Sequence, residues 1–247
     1  MTVKPFNPIT EGADGGPDAF QSAAHTTFRE FVMREEFPCV GARAAVNSDS
    51  YALASYAALG SGEATQSLAR DLFEFTRSEL RATSEYATFV AVFRSPEGMI
   101  EAEFERLLWQ QLTLLNRVDA EHFGWDASVQ SDPANAQFSF SFAGQALYVI
   151  GLHPHSSRLA RQFPWPALVF NPHEQFERLR ADGKWKRMQQ TIRERDVQLQ
   201  GSVNPMLSDF GEATEARQYS GRAVEEGWRA PFAPAKPGTG GGCPFGH

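Results

Sequence analysis

The stretch from 138 to 152 constrains the fold more than any other part of the chain. Phe138, Phe140 and Phe142 alternate with Ser139 and Ser141, which is the period of two expected of a strand with one buried face. Ala143-Gly144-Gln145 then turns the chain into a second apolar run, Ala146 to Leu152. A hairpin of this kind cannot stand alone in water, so other elements must cover it. The sequence offers them. Phe20, Phe28, Phe31 and Val32 predict a helix over 19–36, closed by Phe37-Pro38 because the residue before proline is driven out of the helical region. Further helices are expected over 50–59 and 63–82, separated by Gly60-Ser61-Gly62. Residues 86–93 are β-branched and aromatic and predict a strand. Ser95-Pro96-Glu97 predicts a helix start, with Phe104, Leu107, Leu108, Leu112 and Leu115 as its buried stripe. A fourth strand is expected at 167–170, then a helix opening at Asn171-Pro172, and a last helix over 184–199.

This order predicts an α+β fold with a mainly antiparallel sheet of about four strands flanked by helices. Residues 1–18 read as a flexible arm, 19–229 as a single domain, and 230–247 as a Pro/Gly-rich tail ending in Cys243-Pro244-Phe245. A chain of 247 residues is long enough to fold on its own core. The net charge of −7 argues against nucleic acid or an anionic membrane as partner, and no apolar run approaches the ~18 residues of a membrane span. Two distant cysteines, Cys39 and Cys243, form no disulfide framework, so a cytoplasmic location is expected. Neither a Gly-x-Gly-x-x-Gly nor a phosphate-binding loop is present, which disfavours nucleotide-binding folds.

The densest polar cluster follows the hairpin: His153-Pro154-His155-Ser156-Ser157-Arg158-Leu159-Ala160-Arg161. A strand end is a rigid place from which to aim an imidazole, and the arginine forks match carboxylates. The combination suits an iron-bound cofactor with acidic arms, or a carboxylate substrate. The plain alternative is a surface histidine beside solvated arginines. His173 and Glu177, four apart, share a helix face, so His153, His155 or His173 with Glu177 could also form a non-haem iron triad. Cys39, among apolar neighbours, reads as a small buried hydrophobe. Cys243 before Pro244 is either a thiolate ligand or a free thiol in a loose end.

Several long strings resemble the YqcI/YcgG family: Gly-Leu-His-Pro-x-Ser-Ser-Arg-x-Ala-Arg (151–161), Phe-Asn-Pro-His-x-Gln-Phe-x-x-Leu-Arg (170–180), Ile-Arg-x-Arg-Asp (192–196), Gly-Ser-x-Asn-Pro-Met-Leu-x-Asp-Phe-Gly (201–211) and Glu-Ala-Arg-Gln-Tyr-Ser-Gly-Arg (215–222). Phe37-Pro38-Cys39 resembles that family's N-terminal signature. The family includes haem-dependent N-oxygenases, such as the pre-guanitoxin N-hydroxylase. The resemblance therefore implies haem b, dioxygen as co-substrate, an electron donor or reductase, and a small cationic guanidine or amine as substrate; a homodimer is compatible with it. It implies His153 as the iron ligand with His173 as next choice, and Arg158 and Arg161 as partners of the haem carboxylates. Glu215, Asp209 and Asp196 are then the carboxylates for a cationic substrate. The alternatives are a haem sensor without turnover and a non-haem iron oxygenase. One departure stands out. The family is expected to close with Trp-x-Cys-Pro-Phe, whereas Trp228-Arg229-Ala230-Pro231-Phe232 has alanine in the cysteine's place.

Overall fold

The computed structural model describes residues 17–236 and Gly238. The chain opens with α1 (Pro17–Met33) and α2 (Val40–Asn47), then enters β1 (Tyr51–Ala58). Helices α3 (Gly62–Arg77) and α4 (Glu79–Thr83) lead to β2 (Thr88–Ser95), and α5 (Glu101–Ala120) follows. The hairpin is β3 (Phe140–Phe142) and β4 (Gln145–Leu152). A single 3-10 turn, Leu159–Arg161, precedes β5 (Ala167–Pro172), α6 (His173–Ala181), α7 (Trp185–Gln200) and α8 (Ala216–Tyr219).

The five strands form one sheet in the order β1-β2-β5-β4-β3. The pair β1/β2 is parallel; β2/β5, β5/β4 and β4/β3 are antiparallel. The α+β class holds, but the sheet has five strands and is mixed. The extra strand is β1, where the alanine-rich Tyr51–Ala58 predicts a helix. Pairing from Tyr51 opposite Thr88 to Ala58 opposite Ser95 outweighs the local helical preference. Its small side chains also let helices approach the sheet closely, and Gln21 of α1 donates to the Leu53 carbonyl at 2.7 Å.

Two other boundaries move for local reasons. Gly98, at φ +67°, makes a left-handed turn, so α5 begins at Glu101 and not at Pro96. Ser78 caps α4 by accepting from the Arg81 N–H, which breaks the helix expected over 63–82. The first arm of the hairpin is also buried on both faces. Ser139 and Ser141 are as inaccessible as the phenylalanines between them, and the Ser141 hydroxyl accepts from the Asp126 N–H at 3.0 Å where the preceding loop crosses it.

Strand alternation divides the interior into two cores. Phe89, Ala91, Phe93, Leu147, Val149, Leu168 and Phe170 face α3 and α5. Val90, Val92, Ile150, Leu152, Ala167 and Val169 face α1 and α2 on the other side. No helix among the described residues is long and apolar enough to cross a membrane.

Candidate functional site

The face of β4 and β5 that looks toward α1 and α2 is not fully packed. A cavity of about 260 Å3 lies against Tyr148, Ile150, Leu152, Val169 and Asn171. Residues of α1, α2, α6 and α7 close it, and its wall is almost wholly aliphatic and aromatic. A second cavity, about 140 Å3, adjoins it near Phe210. Tyr148, Phe176, Trp185, Ile192 and Leu207 line both, so five side chains form the wall between the two chambers.

The residues singled out from the sequence fall into three places. Arg158, Arg161 and Asp196 line the larger cavity. His173, Asp209 and Glu215 line the smaller one. His153 is among the lining residues of neither.

His153 continues the alternation of Leu147, Val149 and Gly151 and so points to the α5 side of the sheet. Its ring stacks on Phe104 with centroids 4.4 Å apart and planes at 23°. It is fully buried, and neither ring nitrogen has a hydrogen-bond partner. Burial, with smaller contributions from His155 and Arg161, pushes its pKa down to about 4. The imidazole is therefore a neutral core group, not the surface histidine of the plain alternative. Gly151 makes room for the Phe104 ring, because a Cβ there would lie 2.6 Å from Phe104 Cε1 and 2.9 Å from Leu108 Cδ1.

The arginines are likewise buried. Arg158 donates to Asp196 Oδ2 at 2.5 Å and to the Ser202 carbonyl at 2.9 Å. Asp196 Oδ2 also accepts from the Asn204 N–H, which ties the segment after α7 to the turn after β4. Arg161 donates to the carbonyls of Tyr219 (2.9 Å) and Gly151 (3.3 Å). Gly221, at φ +86°, leaves space for it, since a Cβ would stand 2.6 Å from Arg161 Cδ.

In the smaller chamber, Glu215 accepts from the Tyr219 hydroxyl at 2.6 Å, and that hydroxyl accepts from the Phe140 N–H. Burial raises the Glu215 pKa to about 8, against the opposing pull of the Tyr219 hydrogen bond. Asp209 accepts from Gln189 Nε2 at 2.5 Å. His173, in the first turn of α6, packs edge-on against Phe210 and holds Nε2 3.4 Å from Glu177 Oε1. Burial pushes its pKa down more than Glu177 raises it. Among the described residues, no group of three His, Cys, Asp or Glu side chains stands where it could hold a metal, so the His/Glu triad weighed for non-haem iron is not assembled. His155 is turned to the Met99 carbonyl, 3.1 Å away. Cys243 lies outside the described residues.

Two wall residues of the larger cavity escaped the sequence reading. Cys39 caps the N-terminus of α2, its Sγ accepting from the Ala42 N–H at 3.4 Å. The available signal was positional: a proline stop followed by a short apolar helical run makes the residue between them an N-cap. Gln175, on α6, is 4% exposed, and its Oε1 has no hydrogen-bond partner.

Two curated proteins of Bacillus subtilis (strain 168) are similar to this chain. The uncharacterized protein YqcI is 30% identical over 193 residues, 74% of this chain and 75% of its own length. The uncharacterized protein YcgG is 28% identical over 194 residues, 75% of this chain and 76% of its own. No solved structure matches the chain. The family model that matches, over residues 28–233, spans the sheet and both chambers with the wall residues named above, and the chain belongs to the YqcI/YcgG family.

Proposed function

We propose that the protein is a cytoplasmic haem b-dependent N-oxygenase acting on a small guanidino or amino compound. The observation that carries this reading is the pairing of an apolar chamber, across a shared wall, with a smaller one that holds the carboxyl groups of Asp209 and Glu215 beside Arg180 and Arg193. The larger chamber suits a flat apolar macrocycle in its chemistry. Its wall is mostly hydrocarbon, and Arg158 and Arg161 line it; carboxylate arms there would have to share or displace the bonds these arginines make to Asp196, Ser202, Tyr219 and Gly151. The orphaned Gln175 oxygen marks it as a wall that expects a ligand. Bound haem would supply dioxygen activation.

The chain's own contribution is to hold and aim the nitrogen. A guanidinium entering the smaller chamber meets Asp209 and Glu215, and Glu215 gives up its proton to solvent as the cation arrives. Phe176, Trp185, Ile192 and Leu207 keep water from the boundary between the chambers. For each oxygen inserted, an N–H becomes N–OH and the second oxygen atom leaves as water. Two protons and two electrons from an external donor complete the balance.

The test is an absorption spectrum of protein expressed with iron and a haem precursor, followed by titration with arginine and other guanidines. A Soret band that shifts on titration, and a product heavier by one oxygen atom when reductant is added, are expected. Protein that carries no Soret band after haem supplementation refutes the proposal.

A further inference from the structure

The smaller chamber keeps two buried polar atoms without partners, and they come from different elements. One is Nδ1 of His173, which β5 delivers at the head of α6; the residue is only 6% exposed. The other is the hydroxyl of Ser208, on the segment between α7 and α8. Both residues line the chamber together with Asp209 and Glu215. Buried polar atoms are nearly always paired, so two orphans on one cavity wall mark a place where a ligand completes the bonding.

The role of Nδ1 follows from the other ring nitrogen. Nε2 stands 3.4 Å from Glu177 Oε1, and a carboxylate there favours the tautomer with the proton on Nε2. Burial lowers the ring's pKa and keeps it neutral, so Nδ1 retains a bare lone pair. Nδ1 is thus an acceptor. Arg180 is bonded to Glu177 and lies over the Trp185 ring, and Arg193 is exposed on α7. Asp209 and Glu215 already accept from Gln189 and Tyr219, so a group with several N–H donors has use for a further acceptor. A neutral lone pair orients such a group without adding a third buried negative charge.

We propose that His173 is a substrate-binding residue, whose Nδ1 accepts a hydrogen bond from an N–H of the guanidine or amine seated with Asp209 and Glu215. The Ser208 hydroxyl accepts a second. Glu177 acts through the ring as a positioning residue. The proposal rests on the substrate seat described above and deepens it, and it takes His173 out of the candidates for iron.

The experiment is calorimetric titration of the full chain, expressed with iron and a haem precursor, with methylguanidine, a probe small enough for a chamber of about 140 Å3. His173→Leu is expected to weaken binding about tenfold to a hundredfold, and His173→Asn, whose amide can present an oxygen near the place of Nδ1, to recover most of it. In long-range proton–nitrogen NMR of the diamagnetic ferrous–CO protein labelled at histidine, the signal that disappears in His173→Asn is expected to show a bare Nδ1 that shifts as methylguanidine is added. Wild-type affinity in His173→Leu overturns the role of His173, and so does His173→Asn binding no tighter than His173→Leu. A proton on Nδ1, or an Nδ1 signal that saturating methylguanidine leaves unmoved, overturns it as well; this wild-type measurement decides alone if His173→Leu does not fold. Wild type that binds no methylguanidine overturns the proposal together with the seat of the cation, whereas a missing Soret band overturns the haem reading alone.

Discussion

Replacing His153 by leucine separates a packing role from an iron-binding one. The imidazole has an ordinary pKa of 6.5 and is held near 4 in the fold. The unfolded chain therefore binds the extra proton first. The stability that the neutral ring contributes is complete above pH 6.5 and is lost as the pH falls toward 4. Integrated from about pH 8 to about pH 5, this one residue removes about 2 kcal/mol. At neutral pH the ring also leaves a donor and an acceptor unpaired, at about 1–3 kcal/mol. The stack on Phe104 offsets about 0.5–1.5 kcal/mol of that. His153→Leu is therefore expected to be about 1 kcal/mol more stable than wild type near pH 8, and about 3 kcal/mol more stable near pH 5. Urea denaturation at the two pH values measures the difference directly. In thermal melts each kcal/mol corresponds to about 2–4 °C for a chain of this size. A gain over wild type that is the same at both pH values would refute the reasoning. So would loss of bound haem from a folded His153→Leu protein.

Glu215 gives a second pH dependence. Because its carboxyl stays protonated up to about pH 8, a cation must displace that proton, so arginine binding is expected to tighten up to about tenfold per pH unit below 8 and level off above. Calorimetry across that range should show proton release, and Glu215→Gln should abolish the slope. Gly151→Ala pushes a methyl into the Phe104 ring and Leu108, both held in the core, and is expected to cost about 1–3 kcal/mol in urea denaturation. Asp196→Ala leaves Arg158 buried without its carboxylate and is expected to cost about 3–5 kcal/mol. Arg158→Met in the same background should recover part of that loss, and a double-mutant cycle measures how much.

What was legible in the chain followed from periodicity. The alternation at 138–142 and the apolar run after it gave the hairpin, and Phe20, Phe28 and Phe31 do form the buried stripe of α1. Residues 51–58 were illegible because alanine carries little strand signal; only the partner strand, over thirty residues downstream, makes them extended. The site was legible in pieces. Arg158, Arg161, Asp196, His173, Asp209 and Glu215 all line one chamber or the other. Which chamber depends on how distant elements meet, and no local pattern encodes that. Cys39 reads as filler because its neighbours are apolar, and the cavity that it lines draws on nine separate elements: α1, α2, β1, β2, β4, the 3-10 turn, β5, α6 and α7.

The plane of the sheet runs between Leu152 and His153. These two are joined by one peptide bond, yet Leu152 belongs to the core under α1 and His153 to the core under α5. The polar string that begins there is thus two half-strings with different neighbours. Its imidazole answers to the hydrocarbon of Phe104, and its guanidinium groups answer to a chamber on the far side. Proximity along the chain here measures nothing about shared work, and a substitution scan should find adjacent positions that respond to unrelated perturbations.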